Sequence, residues 1–159
     1  LLQLARLENN SIPVNRTTVD LNTLLRALSE KWQPRLSEKS IALRLHIPPA
    51  TVLHTDATLL HIILDNLIGN AIKYGHSGGQ IVCTWLPENA SLAIRDNGPG
   101  IPAEHLPHVF ERFYRADEAR STTVPGAGLG LSIAKKLADL LGIELRVSSR
   151  AGVEVVLGF

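Results

Sequence analysis

The sequence predicts an α+β sandwich, and three observations carry that prediction. Strand-like segments come in adjacent pairs instead of alternating one for one with helices, which disfavours a strictly parallel α/β sheet. Three segments repeat apolar residues at helical spacing. The chain has 159 residues and a 45% apolar fraction, enough for one domain around one core.

The elements follow in order. Leu1–Glu8 reads as the tail of a helix, and the polar stretch from Asn9 to Arg16, with Pro13, reads as a linker. The domain organisation expected is therefore 1–10 as a helical remnant, 11–16 as a linker and 17–159 as one domain. Thr17–Val19 suits a short strand. Asp20 is placed to cap a helix from Leu21 to about Lys39, with Leu21, Leu24, Leu25 and Leu28 on one side and Pro34 interrupting that pattern and bending the helix. Ile41–Ile47 alternates apolar and polar residues, and Val52–His54 forms a second short strand beyond Pro48-Pro49. Asp56 is the expected N-cap of a helix from Thr58 to Tyr74, which Gly75–Gly79 ends. Gln80–Leu86 and Ser91–Arg95 read as strands joined at Pro87–Ala90. Leu129–Leu141 reads as a third helix stopped by Gly142. Ile143–Ser148 and Val153–Leu157 close the chain as a hairpin around Arg150-Ala151-Gly152.

Composition removes several classes of function. The formal charge is +1 and the basic residues are scattered, which argues against a nucleic-acid groove. The single cysteine, Cys83, cannot build a disulfide framework and reads as a small sheet or core residue, as suits a reducing compartment. No apolar run approaches the ~20 residues of a membrane span. No signal peptide is visible, and a start at Leu1 suggests an excised piece of a longer protein.

Chemistry concentrates in four segments. On the middle helix, Asn66, Asn70, Lys73 and Tyr74 fall within roughly a quarter of the circumference at 100° per residue. Leu60, Ile63, Leu64, Leu67 and Ala71 form the neighbouring apolar stripe. Amide oxygens suit Mg²⁺ and an ammonium suits phosphate, although polar residues beside an apolar stripe also describe any solvated amphipathic face. Asp96 follows an apolar strand and precedes Asn97-Gly98-Pro99-Gly100. A carboxylate there can accept from an adenine amine, and the same residues also make a plain turn. Gly126-Ala127-Gly128-Leu129-Gly130-Leu131 opens a helix, which suits phosphate or a simple hinge. The segment lacks the Gly-Lys-Ser/Thr of the P-loop, and no βαβ unit leads into it. Between these segments, Phe110 to Arg115 holds three of the chain's five Phe and Tyr residues and suits an anchored lid. Arg112, Arg115 and Arg120 could reach phosphate or remain solvated. His105 and His108, three apart, read as packing residues more readily than as metal ligands.

With these residues in view, the chain resembles the catalytic and ATP-binding domain of bacterial two-component sensor histidine kinases. Asp65 to Tyr74 resembles the N box and Asp96 to Ile101 the first glycine box. Phe110 to Arg115 is similar to the F box, and Gly126 to Leu131 to the second glycine box. The resemblance spans about Thr17 to Phe159 and implies a two-layer α/β sandwich of the Bergerat type: a mixed sheet covered on one face by three helices, with a mobile ATP lid.

The resemblance also implies residue roles. Asn70 would ligate Mg²⁺, with Asn66, Lys73 and Arg115 working at the phosphates. Tyr74 would pack by the adenine, Asp96 would accept from its amine, Ile101 would join the nucleotide site, and Gly98 and Gly100 would shape the lid hinges and phosphate-facing backbone. Gly126, Gly128, Leu129, Gly130 and Leu131 would face the phosphates, and Phe110 and Phe113 would anchor the lid. The cofactors implied are ATP and Mg²⁺, and the reaction is transfer of the γ-phosphate to a histidine of a dimerisation module, then to a response-regulator aspartate. No histidine here carries the acidic-Leu-Arg pattern of a phosphoacceptor, so the chain alone is not expected to phosphorylate itself, and apart from the dimerisation module it is expected to be monomeric. The resemblance places this domain in the cytoplasm and its parent homodimer in the bacterial inner membrane. Two rivals are a nucleotide-binding pseudokinase and a hydrolysing ATPase of the same fold. The second is disfavoured because Asn66 stands where a water-activating glutamate is expected.

Overall fold

The computed structural model describes residues 12–111 and 130–159. The expected helix at Leu1–Glu8, the start of the linker, and Arg112, Phe113, Tyr114, Arg115, Arg120, Gly126, Gly128 and Leu129 lie outside the described residues. Strand β1 (Thr17–Asp20) leads into helix α1 (Leu21–Glu38), followed by β2 (Ala42–His46), β3 (Val52–Thr55) and α2 (Ala57–Tyr74). Then come β4 (Gln80–Leu86), β5 (Ser91–Asp96), α3 (Gly130–Leu141), β6 (Glu144–Ser149) and β7 (Val153–Gly158). Short 3-10 turns occupy Pro87–Asn89 and Leu106–His108.

Two local signals set the helix starts. Asp20 and Asp56 are extended N-caps whose carboxylates accept from the backbone N–H three residues on, Thr23 and Leu59. Pro34 sits inside α1 without ending it, and the helix continues to Glu38. The helix runs past Pro34 as expected, because Pro34 is exposed and water can serve the Glu30 carbonyl that loses its donor. Gly142 ends α3 in the left-handed region, at φ 73°.

Five strands form a mixed sheet in the order β2-β4-β5-β7-β6, parallel only between β2 and β4, and β1 pairs with β3 in a separate two-stranded ribbon. Alternation gives the sheet an inner face. Across it, Trp85, Leu92, Leu157 and Leu145 lie in register, and beside them Leu45, Cys83, Ile94, Val155 and Val147. The three helices pack against the mixed sheet, and Leu21, Leu25, Leu28, Leu60, Ile63, Leu64, Leu67, Leu137 and Leu141 join the inner strands in one core. The α+β sandwich expected from the sequence is what forms. The same alternation sends Asp96 to the inner face, two residues beyond Ile94, where the core opens toward the end of α2.

Cys83 is fully buried within the sheet, and desolvation pushes its thiol up from 9.0 to about 12. The folded state therefore prefers the neutral thiol. That preference is intact below pH 9 and is lost as pH rises from 9 toward 12, at about 1.4 kcal/mol per unit. We expect Cys83 to resist alkylation at pH 8 in the native protein and to react at once in urea. Native-state labelling at the unfolded rate would show that the sheet opens readily.

Candidate nucleotide site

Helix α2 brings four of the expected residues to one side. Asn66, Asn70 and Lys73 are partly buried, and Tyr74 is 38% exposed at the helix end, with the Lys73 ammonium 5.7 Å from its ring centroid. Their neighbours Leu60, Ile63, Leu64, Leu67, Ile68 and Ile72 are buried, which fixes the rotation of the helix about its axis. A second restraint acts from α1. Trp32 Nε1 and Lys31 Nζ both donate to the Asp65 carboxylate at 2.8 Å, and the indole lies over Gly69. Asp65 and Gly69 flank Asn66 and Asn70, so this clamp holds the amide side in place. Trp32→Phe removes the indole donor and leaves a partly buried carboxylate oxygen short of a partner. The expected cost is about 1–2 kcal/mol in urea denaturation. Unchanged stability would mean that water replaces the indole.

The turn after β5 is built around one carboxylate. Asp96 Oδ1 accepts from the Gly98 N–H at 2.8 Å and from the Val153 N–H at 3.2 Å. Oδ2 accepts from no described residue and is not sealed from solvent. Asn97 turns the other way: its Oδ1 accepts from the Gln80 N–H at 2.8 Å, closing the end of β4. Gly98 is buried, and a methyl group there would lie 3.4 Å from Gly75 Cα and 3.6 Å from the Tyr74 carbonyl oxygen. The end of α2 and the Asp96 turn therefore meet.

Gly100 has φ 77°, and a side chain there would collide with Ser149 Oγ. That hydroxyl accepts from the Ile101 N–H at 2.8 Å and donates to the Gly152 carbonyl at 2.9 Å. Ser149, Gly152 and the Val153 N–H thus hold the turn from the β6–β7 hairpin. Sequence reading found only a turn there, because their contact with Asp96 depends on a strand pairing across more than fifty residues.

Farther along the chain, Val109 is buried and Phe110 packs on the core, with the Lys135 ammonium 6.0 Å from the Phe110 ring centroid. Gly130 opens α3 and Leu131 packs on the core. His108 Nδ1 lies 2.7 Å from Glu111 Oε1, and His105 Nε2 lies 3.7 Å from Glu104. Among the described residues, no group of three or more His, Cys, Asp or Glu could hold a metal. Among the same residues, no helix is long and apolar enough to cross a membrane.

The C-terminal end of α2 thus meets the Asp96 turn, and α3 packs beside α2. The model of the histidine kinase-, DNA gyrase B- and HSP90-like ATPase family matches residues 55–159, and the chain belongs to that family. Within the family, its relatives are protein-histidine kinases. It is 40% identical over 152 residues to the sensor histidine kinase YkoH of Bacillus subtilis, covering 96% of this chain and 33% of YkoH. It is 37% identical over 151 residues to the swarming motility regulation sensor protein RssA of Serratia marcescens, covering 93% of this chain and 32% of RssA. The chain thus spans about a third of the length of these relatives. Among solved structures, full-length ShkA in complex with AMPPNP superposes with a TM-score of 0.81 at 29% identity, over 98% of this chain and 33% of ShkA. The nucleotide-free catalytic domain of histidine kinase ThkA gives 0.77 at 25% identity, over 90% of this chain and 93% of that domain.

Proposed function

We propose that this chain binds Mg·ATP between the Asn66–Tyr74 side of α2, the Asp96–Ile101 turn and the start of α3. It then presents the γ-phosphate to a histidine on its parent's dimerisation module, for relay to an aspartate of the cognate response regulator. The observation that supports this reading most is the Asp96 carboxylate. One oxygen is occupied by two backbone N–H groups, and the other is left as an acceptor at the end of the inner sheet face. An adenine amine is the donor such an oxygen suits.

The remaining roles follow from donor chemistry. Tyr74 and Ile101 border the base. Asn70 would hold Mg²⁺ through one hard amide oxygen. Asn66 lies one turn earlier on the same side, and Lys73 and Arg115 neutralise phosphate charge. Gly130 and Leu131 open α3, whose positive end suits phosphate, and Gly126, Gly128 and Leu129, which precede them in the sequence, would complete the phosphate-facing segment. Phe110 and Phe113 anchor a lid between the two glycine segments. Magnesium supplies charge neutralisation when bound, and the protein's own contribution is positioning. Asn66 carries an amide and cannot take a proton from water, which favours transfer over hydrolysis. The acceptor histidine, and the parent's inner-membrane anchorage, lie outside this chain.

The test supplies the parent's dimerisation module in trans with γ-labelled ATP. Label is expected on the module's histidine and not on this chain. Tight ATP binding without labelled module would show a binding-only domain, and rapid phosphate release by the chain alone would show a hydrolase.

A further inference from the structure

Helix α2 ends in an unusual way for the element that carries the site. Helices commonly close with a residue in the left-handed region, whose N–H groups satisfy the last carbonyls. Gly75, which follows Tyr74, is instead extended at φ −70°, ψ 157°. The carbonyls at this end find their partner in another helix. Lys39, the residue that closes α1, reaches across with its ammonium and donates to the carbonyls of Ile72 at 2.7 Å, Lys73 at 3.0 Å and Gly75 at 3.1 Å. All three N–H donors of the ammonium are used. Its charge also sits at the negative end of the α2 dipole. The Lys39 carbonyl in turn accepts from the Gly78 N–H at 2.8 Å and from Ser77 Oγ at 3.3 Å. One residue therefore holds both sides of the Ile72–Gly78 connection.

We propose that Lys39 is a positioning residue for the nucleotide site, acting through the backbone that carries Lys73 and Tyr74. The proposal rests on the Mg·ATP reading above. One of the carbonyls it holds belongs to Lys73, expected at the phosphates, and a second to the core residue Ile72 just before it. The third belongs to Gly75, against which Gly98 and hence the Asp96 turn are packed. Without the ammonium, the last turn of α2 has no left-handed cap and loses the cation bonded to its carbonyls. Its carbonyls then turn toward water, and the Tyr74 and Gly98 backbones lose their fixed separation. A guanidinium can serve the same carbonyls, whereas a thioether of similar length cannot.

The experiment is calorimetric titration with Mg·ATP of the unaltered chain, Lys39→Met and Lys39→Arg, at a temperature where circular dichroism shows each fully folded. Lys39→Met is expected to bind about tenfold more weakly, as befits a loss of hydrogen bonds to a charged group. Lys39→Arg should return to within about threefold of the unaltered chain. Equal affinity of Lys39→Met and the unaltered chain overturns the proposal while leaving the Mg·ATP reading intact. So does a Lys39→Arg as weak as Lys39→Met. No binding by the unaltered chain overturns the Mg·ATP reading and the proposal with it. Should Lys39→Met not fold, Lys39→Gln replaces it on the same criteria, since it keeps donors and loses the charge.

Discussion

Asp96→Asn is expected to weaken Mg·ATP binding about a hundredfold while leaving the melting temperature nearly unchanged. The split follows from which oxygen does what. Asp96 Oδ1 carries the structural load, accepting from the Gly98 and Val153 N–H groups. An asparagine can keep both bonds only by placing its carbonyl oxygen there. Its amide nitrogen then occupies the Oδ2 position and presents N–H groups toward the ligand. An adenine amine meets a donor where it needs an acceptor, and neither partner retains water as compensation. Flipping the amide would serve the ligand and abandon two backbone donors, so the protein's own stability opposes the rescue. Calorimetry for affinity and a thermal melt for stability measure the two halves separately. Retained affinity would remove Asp96 from the adenine site. A large fall in melting temperature would mean that the asparagine does not preserve the turn.

Much of the fold was legible because its signals are local. Asp20 and Asp56 are caps that act on residues three positions away, and the structure uses both as expected. Alternation in Leu92, Ile94 and Asp96 already says that the carboxylate shares a face with the core. The apolar spacing of α2 fixes, by exclusion, which side can carry Asn66 and Asn70. What could not be read are contacts set by long-range pairing. The parallel join of β2 to β4 has no local signature. The approach of Val153 to Asp96 requires β5 to pair with β7 in one register. The reach of Lys39 to the end of α2 requires the α1–α2 packing. Pro34, a strong local breaker, is tolerated inside α1 where water can replace the bond it deletes. The candidate site residues were therefore visible as types and spacings, while the partners that position them in the fold were not.

The second large effect falls on one of those invisible partners. Gly152→Ala is expected to cost about 2–4 kcal/mol in urea denaturation and to weaken Mg·ATP binding together with stability. Gly152 is buried at φ 128°, a conformation open to glycine alone. A methyl group there would overlap the Asp96 carbonyl oxygen and lie 3.1 Å from Asn97 Cα. Both are backbone atoms, so no side-chain rotation relieves the clash. Either the β6–β7 turn or the Asp96 turn has to move. Movement of the hairpin also disturbs the Ser149 hydroxyl that holds Ile101, and the Val153 N–H that holds Asp96. Gly142→Ala separates strain from contact. Gly142 also has a positive φ, 73°, but a methyl group there meets nothing within 4 Å. Its cost should be only the left-handed penalty, about 1 kcal/mol, with ATP affinity intact. Equal effects of the two substitutions on affinity would show that the Gly152 contact does not position Asp96. A larger loss of affinity at Gly152, after correction for the fraction folded, would place the hairpin turn among the parts that hold the Asp96 carboxylate in place.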